Sequence, residues 1–189
     1  MRQLRLVITI LMLLLGVACQ ANAQDSSASS EYLVKAGFIY NFAKLVEWPA
    51  TAFAQPDSPI VIGIWGTDPF GPVIDHVLDG KKVNGRGFVV KRLKSLNDLK
   101  DCHILFVSSS EVARLSETIH LAKSLPLLTI GEMPGFAKHG GIINLTLEDN
   151  KVRFEVNVDA AKEADLNISS RLLALAKIVQ QQADGKKSE

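Results

Sequence analysis

The sequence predicts an α/β fold: a single three-layer domain with a mixed sheet and a C-terminal antiparallel hairpin followed by helices. Three observations predict it. Helix-like and strand-like apolar patterns alternate from Glu31 onward. Residues 60–65 form a continuous apolar run, as a strand covered on both faces does, and residues 104–107 and 126–130 read as further buried strands. After Gly140-Gly141 the rhythm changes to alternation around a polar turn, the mark of a hairpin with one wet face. A chain of 189 residues is long enough to bury one core without covalent staples.

Each element has its own local signal. Residues 31–48 space Leu33, Val34, Phe38, Ile39, Phe42, Leu45 and Val46 three and four apart, which predicts one apolar helix face. Pro49 ends that helix, because the residue before a proline is pushed out of the helical region. The strand at 60–65 lies between Pro59 and Gly66. Asp68 and Pro69 then open a helix to Leu78, as N-cap and first-turn residue, and Gly80 stops it. Gly85 and Gly87 form a turn before a strand at Phe88-Val89-Val90, and Ser95 caps a short helix to Lys100. After the strand at 104–107, Ser110 caps a helix to Lys123, and the next strand ends at Gly131.

Residues 142–147 and 152–156 pair around Glu148-Asp149-Asn150, with Val152, Phe154 and Val156 inward and Arg153, Glu155 and Asn157 in water. Asp159 starts a helical stretch. Ser169 or Ser170 caps the last helix, which turns Leu172, Leu173, Leu175, Ala176 and Val179 inward. The parallel part follows the right-handed crossover rule.

Residues 1–23 read as a secretory signal peptide. Arg2 and Arg5 precede an apolar run at 6–15 interrupted only by Thr9, and Ala21-Asn22-Ala23 is a small-x-small cleavage site before Gln24. The run is shorter than the roughly 20 residues that cross a bilayer. A rival reading takes Gly16-Val17-Ala18-Cys19 as a lipobox that would lipidate Cys19, but Gly16 stands where leucine is usual. Cleavage after Ala23 places the mature protein in the periplasm. Residues 24–30 read as a flexible leader, 31–182 as the domain and 183–189 as a disordered tail.

Composition narrows the function. Lys and Arg number 21 against 20 Asp and Glu, a net charge of +1, which argues against a nucleic-acid binder. Losing Arg2 and Arg5 with the signal peptide turns that charge to −1. The two cysteines are too few for a disulfide scaffold or a four-ligand zinc site, and loss of Cys19 leaves Cys102 with no internal partner. Cys102 reads as a small buried hydrophobe, with an intermolecular bridge as the alternative.

No catalytic constellation is visible, so no enzyme, cofactor or metal is expected. His76, His103, His120 and His139 lie in separate elements without ligand spacing. Ser108-Ser109-Ser110 lacks a nucleophile elbow and reads as a loop with a helix cap. The glycine- and lysine-bearing stretch 80–87 lacks the strand–glycine–helix order of a phosphate loop. One candidate ligand crevice remains, at Gly66, Asp68, Pro69 and Phe70, because open α/β sheets bind ligands beyond strand C-termini. The same residues suit a plain turn and cap. Tyr40, Phe42 and Trp48 read as core aromatics or as partner anchors.

Taken in order, the blocks resemble a known family. Lys35-Ala36 with Phe38-Ile39-Tyr40-Asn41-Phe42-Ala43-Lys44 and Glu47-Trp48-Pro49 resembles its opening signature. Gly66 with Asp68-Pro69-Phe70, Asp101-Cys102-His103 with Ile104-Leu105-Phe106, Leu128-Thr129-Ile130-Gly131, Gly135-Phe136 and Gly140-Gly141-Ile142-Ile143 resemble the next blocks. Phe154-Glu155-Val156-Asn157, Ala160-Ala161 and Ser169-Ser170-Arg171-Leu172-Leu173 resemble the last. The sequence is identified as resembling the YfiR family of exported bacterial proteins.

The resemblance implies a periplasmic repressor. It would engage the periplasmic domain of an inner-membrane diguanylate cyclase, lowering cyclic-di-GMP and biofilm formation. A peptidoglycan-binding outer-membrane lipoprotein would relieve the block, and the repressor would form a homodimer. One departure stands out: relatives carry further cysteines that tie activity to redox state, and a lone Cys102 cannot form that internal switch. The signature residues Tyr40, Asn41, Trp48, Pro49, Cys102, Gly140, Gly141, Phe154 and Asn157 read as structural. The alternative function is a periplasmic small-molecule-sensing module.

Overall fold

A computed structural model of the chain describes residues 29–181. The signal peptide, Cys19, most of the leader and the tail at 183–189 lie outside the described residues. Helix α1 covers 29–45, so residues 29 and 30 of the expected leader are already helical. Then follow β1 (Val46–Glu47), β2 (Ile60–Trp65), α2 (Val73–Leu78), β3 (Phe88–Arg92) and β4 (Ile104–Val107). The second half holds α3 (Leu115–Ala122), β5 (Leu128–Gly131), β6 (Ile143–Glu148), β7 (Lys151–Asn157), α4 (Val158–Glu163), β8 (Asn167–Ile168), α5 (Ser170–Leu173) and β9 (Lys177–Val179). Among the described residues no helix is long and apolar enough to cross a membrane.

The main sheet has seven strands in the order β3-β2-β4-β5-β6-β7-β9. The first five run parallel, β7 is antiparallel to β6, and β9 runs parallel to β7. A separate two-stranded pairing joins β1 to β8. The apolar runs of β2, β4 and β5 are buried on both faces, as their lack of alternation predicts. On one face Ile39 and Phe42 of α1, Ile74 of α2 and Leu172 of α5 pack against Ile62, Phe106 and Ile130. On the other, Leu115 and Ile119 of α3 and Phe136 pack against Leu105 and Val107. These are the three layers of the predicted mixed α/β domain.

The structure differs from the local reading at several points. Leu33 and Val34 are not on the buried face of α1; they are 50% and 45% exposed. The inward stripe instead runs through Lys35, Ala36, Ile39, Phe42, Ala43 and Val46. Helix α2 begins only at Val73, after Pro72; Asp68 closes a turn, its Oδ1 accepting from the Phe70 and Gly71 N–H groups. Ser95 caps as predicted, but its helix is a 3-10 turn, Leu96–Asp101. Ser108, not Ser110, caps the 3-10 segment Ser109–Arg114 that leads into α3.

The β6–β7 turn places Asp149 and Asn150 at φ +50° and +57°, the left-handed pair that a two-residue hairpin loop requires. Its wet face is confined to the tip, since Glu155 and Asn157 are buried. Asn157 accepts from the Ala160 N–H to cap α4 and donates to the Ala137 carbonyl. The last predicted helix stops after four residues. Lys177–Val179 becomes β9 because the outer edge of β7 leaves backbone groups unpaired there, and the β-branched Ile178 and Val179 suit a strand. Leu175, expected inward, is exposed.

Candidate functional site

The C-terminal ends of the parallel strands form the candidate site. β2 connects through α2 to β3 on one side, and β4 lies on the other, so the ends of β2 and β4 flank a topological switch point. Gly66 follows β2 with φ +92°, and a side chain there would run into Ser110 and Glu111. The Thr67 N–H donates to Ser110 Oγ at 2.9 Å. Arg92, at the end of β3, donates from Nε to Asp68 Oδ2 at 2.9 Å and from Nη2 to Asp75 Oδ2 at 2.6 Å. Those hydrogen bonds hold the guanidinium above its ordinary pKa, the Asp75 bond contributing most. Phe70 is buried edge-on against Phe106 at 4.7 Å, and Pro69 is half-buried. The polar groups of this crevice are thus largely paired with one another.

Phe70 also meets Tyr32 of α1, with ring centroids 5.3 Å apart, and Tyr32 leads to a second group of residues. Lys35 lies on the buried face of α1. Its Nζ stands 2.6 Å from Glu31 Oε1 and 2.7 Å from Glu132 Oε2, and the Tyr32 hydroxyl donates to Glu132 Oε1 at 3.2 Å. Glu132 is the first residue after β5. Burial pulls the Lys35 ammonium down, but its bonds to Glu132 and Glu31 outweigh that and raise it above the usual lysine value. Burial, with the nearby Glu132 charge, raises the Tyr32 hydroxyl.

Beside this cluster is a cleft of about 400 Å³ between the 132–135 loop and β6. Pairing of β5 with β6 ends at Gly131–Asn144, whereas β6 runs on to Glu148 paired with β7. Asn144 and Thr146 line the cleft with Glu132, Met133, Leu145 and Glu155. Asn144 Nδ2 donates to Glu155 Oε2 at 3.4 Å, and Glu155 Oε1 pairs with Lys177 Nζ at 3.0 Å. Asn144 Oδ1 and Thr146 Oγ1 are buried without a partner among the described residues. A neighbouring groove of about 650 Å³ runs between α1 and the β6–β7 hairpin, lined by Val34, Leu147 and Val152 with Glu31, Lys151 and Arg153.

Comparison with known families decides the kinship. The profile of a family described as YfiR/HmsC-like matches residues 32–177. The chain belongs to the YfiR/HmsC-like family. Members are periplasmic regulatory proteins, and that general role is what membership gives this chain. No curated protein matches the sequence.

Among solved structures the chain is similar to an ABC domain in complex with L-Trp from Streptococcus pneumoniae (TM-score 0.47, 9% identity, 64% of this chain and 55% of that one). It is similar to a conserved domain protein from Vibrio cholerae (TM-score 0.48, 12% identity, 64% and 54%). It also resembles the ligand-free, open form of a substrate binding protein with adhesive properties from Clostridium difficile (TM-score 0.46, 13% identity, 65% and 55%). The chain spans just over half the length of each, and the likeness concerns the fold alone.

The YfiR/HmsC-like signature residues fall mostly at packing positions. Phe154 lies between Phe38 and Phe42 of α1, and Tyr40 meets Phe88 edge-on, while Asn41 faces solvent. Gly141 gives the Phe136 ring its slot, where a Cβ would overlap the ring, and Gly140 takes φ +96°. Pro49 precedes a 3-10 turn, Ala50–Ala52, and Trp48 Nε1 donates to the His103 carbonyl at 3.2 Å.

His103 organises that opposite edge of the sheet. Its Nδ1 accepts from the Val61 N–H at 3.0 Å, so Nε2 is the nitrogen that donates to the Ala52 carbonyl at 3.1 Å. Phe53 stacks on the imidazole at 4.4 Å, and the Arg86 guanidinium covers Phe53 at 3.8 Å. Burial, with Arg86 nearby, holds the imidazole below the usual histidine range despite the Ala52 bond. Cys102 is a buried free thiol, and burial pushes it up to about 11.

Sequence reasoning missed Lys35, Glu132, Asn144 and Thr146 as a group. The signal available was Lys35 itself, a lone cation in the stripe Tyr32, Lys35, Ile39, Phe42, Val46, which requires a buried acid nearby. Asn144 and Thr146 gave none, because polar residues alternating along a strand ordinarily mean a wet face.

Proposed function

We propose that this protein is a periplasmic repressor that binds the periplasmic domain of an inner-membrane diguanylate cyclase, holds it inactive, and so lowers cyclic-di-GMP and biofilm formation. The observation that carries the reading is the family match over nearly the whole described domain. A repressor needs no catalytic group; it needs a surface that prefers one state of its partner, and a few kcal/mol of preference moves a two-state receptor far. Exposed Val34 and Leu147, lining the groove between α1 and the hairpin, offer apolar area for such a contact. The reading includes a homodimer and release by a peptidoglycan-binding outer-membrane lipoprotein. A photo-crosslinking amino acid at position 34, expressed in the native periplasm, should give an adduct containing a membrane cyclase. Adducts without any cyclase would count against the reading.

A small-ligand module is the second reading, and one observation favours it: the buried, unpartnered Asn144 carbonyl beside the 400 Å³ cleft. At Gly66, Asp68, Pro69 and Phe70 a ligand would have to displace the Ser110 and Arg92 contacts, so this reading centres on the cleft.

A further inference from the structure

We propose that the cleft between the 132–135 loop and β6 binds a small organic cation: an alkylammonium or alkylguanidinium whose N–H groups donate to Asn144 Oδ1 and Thr146 Oγ1. Four observations build the case. First, Asn144 is only 2% exposed, and a buried amide oxygen without a donor carries an unrecovered desolvation cost, which a bound N–H group would recover. Thr146, two residues along the same strand, presents a second unpartnered oxygen on the same face. The Asn144 oxygen can only accept, so its missing partner is a donor, and Thr146 Oγ1 is able to accept beside it.

Second, the charge favours a cation. Glu31, Glu132 and Glu155 are three carboxylates, and among the described residues the ammoniums paired with them are those of Lys35 and Lys177, leaving one negative charge. Third, the donor set is organic rather than metallic: among the described residues no three His, Cys, Asp or Glu side chains are gathered as metal ligands. The acceptors are an amide and a hydroxyl with carboxylates behind them, which suits a directional N–H group. Fourth, the size and walls fit. A volume of about 400 Å³ lies within the ~300–1,000 Å³ range of small-ligand sites, and Met133, Pro134 and Leu145 provide apolar wall for a short hydrocarbon body.

The site bears on signalling through Glu132, which joins it to Lys35 and Tyr32 of α1, the helix that also carries the exposed Leu33 and Val34. Binding itself stands apart from the repressor reading, because it is a property of the purified protein.

The test is calorimetric titration of the mature chain with n-butylammonium and n-butylguanidinium, alongside butyrate and 1-butanol of matching shape. Saturable binding of the cations, at least about tenfold tighter than of either control, is expected. Asn144→Leu, which keeps the branching at Cγ and removes the acceptor, should weaken the cations about tenfold or more, and Thr146→Val should weaken them less. Lys100→Gln, exposed on the 3-10 turn Leu96–Asp101 and outside the cleft lining, should change nothing. If Asn144→Leu fails to fold, Thr146→Val with the four wild-type titrations still decides. No saturable heat for either cation would overturn the proposal, since a cleft filled only by water gives none. Equal binding of the anion, or cation binding indifferent to both substitutions, would overturn it too.

Discussion

Replacing Lys35 with methionine keeps the aliphatic stem against the core and deletes the ammonium between Glu31 and Glu132. The Lys35 and Glu132 side chains are each 6% exposed, so Glu132 would be left as a buried carboxylate without its cation. Breaking a buried pair from one side typically costs about 3–5 kcal/mol. Two features place this case near the low end. The Tyr32 hydroxyl still donates to Glu132, and Glu31, at 27% side-chain exposure, can return to water. The expected loss is therefore about 3 kcal/mol. In a chain of this size that is a fall in Tm of about 6–12 °C. Urea unfolding followed by circular dichroism, with an unchanged m value, reads the free energy. The double variant Lys35→Met/Glu132→Gln leaves no buried charge and should regain most of the loss. A Lys35→Met cost under about 1 kcal/mol, or a double variant no better than the single one, would refute the buried-pair argument.

Three further predictions follow the same logic. His103 has a folded pKa below the ordinary 6.5, so the unfolded chain takes up the proton first and stability falls as pH drops below about 6.5. His103→Asn should flatten that slope in urea titrations at stepped pH; an unchanged slope would contradict the assignment. Cys102, with its thiol pushed up to about 11 and buried, should react with a thiol reagent far more slowly in the native protein than in urea, and similar rates would show that it is accessible. Gly141→Ala forces a Cβ into the Phe136 ring and should cost about 2 kcal/mol or more, whereas Gly37→Ala, in open space on α1, should stabilise by about 0.5–1 kcal/mol. A thermal-melt ranking that places the two together would undo the close-packing account of Gly141.

Much of the fold could be read in advance because its strongest elements announce themselves locally. Ile60–Trp65 and Ile104–Val107 are apolar on both faces, and a run of that length bounded by turn residues suits a strand covered on both sides. Asp149-Asn150 can occupy the left-handed region that the hairpin needs. The misread segments are those where tertiary partners outvote periodicity. Lys177–Val179 carries a helix-compatible pattern, yet the open edge of β7 takes it as a strand. Leu33 and Val34 fit an apolar helix face by spacing, but the face that packs is that of Ala36, Ile39, Phe42 and Ala43, and it carries Lys35 to Glu132, 97 residues away. The site was less legible still. The crevice at Gly66, Asp68, Pro69 and Phe70 follows from topology alone, and its pairing with Arg92 and Ser110 does not. The unmet acceptor of Asn144 depends on where β5 ends, a fact of three-dimensional pairing.

The central claim is that this YfiR/HmsC-like protein restrains a membrane cyclase from the periplasm. The most direct measurement is cellular cyclic-di-GMP in three matched strains: the parent, one lacking this protein, and one lacking both it and the crosslinked cyclase. Repression predicts a rise on loss of the protein and a return to the parental level or below when the cyclase is also removed. Unchanged cyclic-di-GMP on loss of the protein, or a rise that persists without the cyclase, would contradict it.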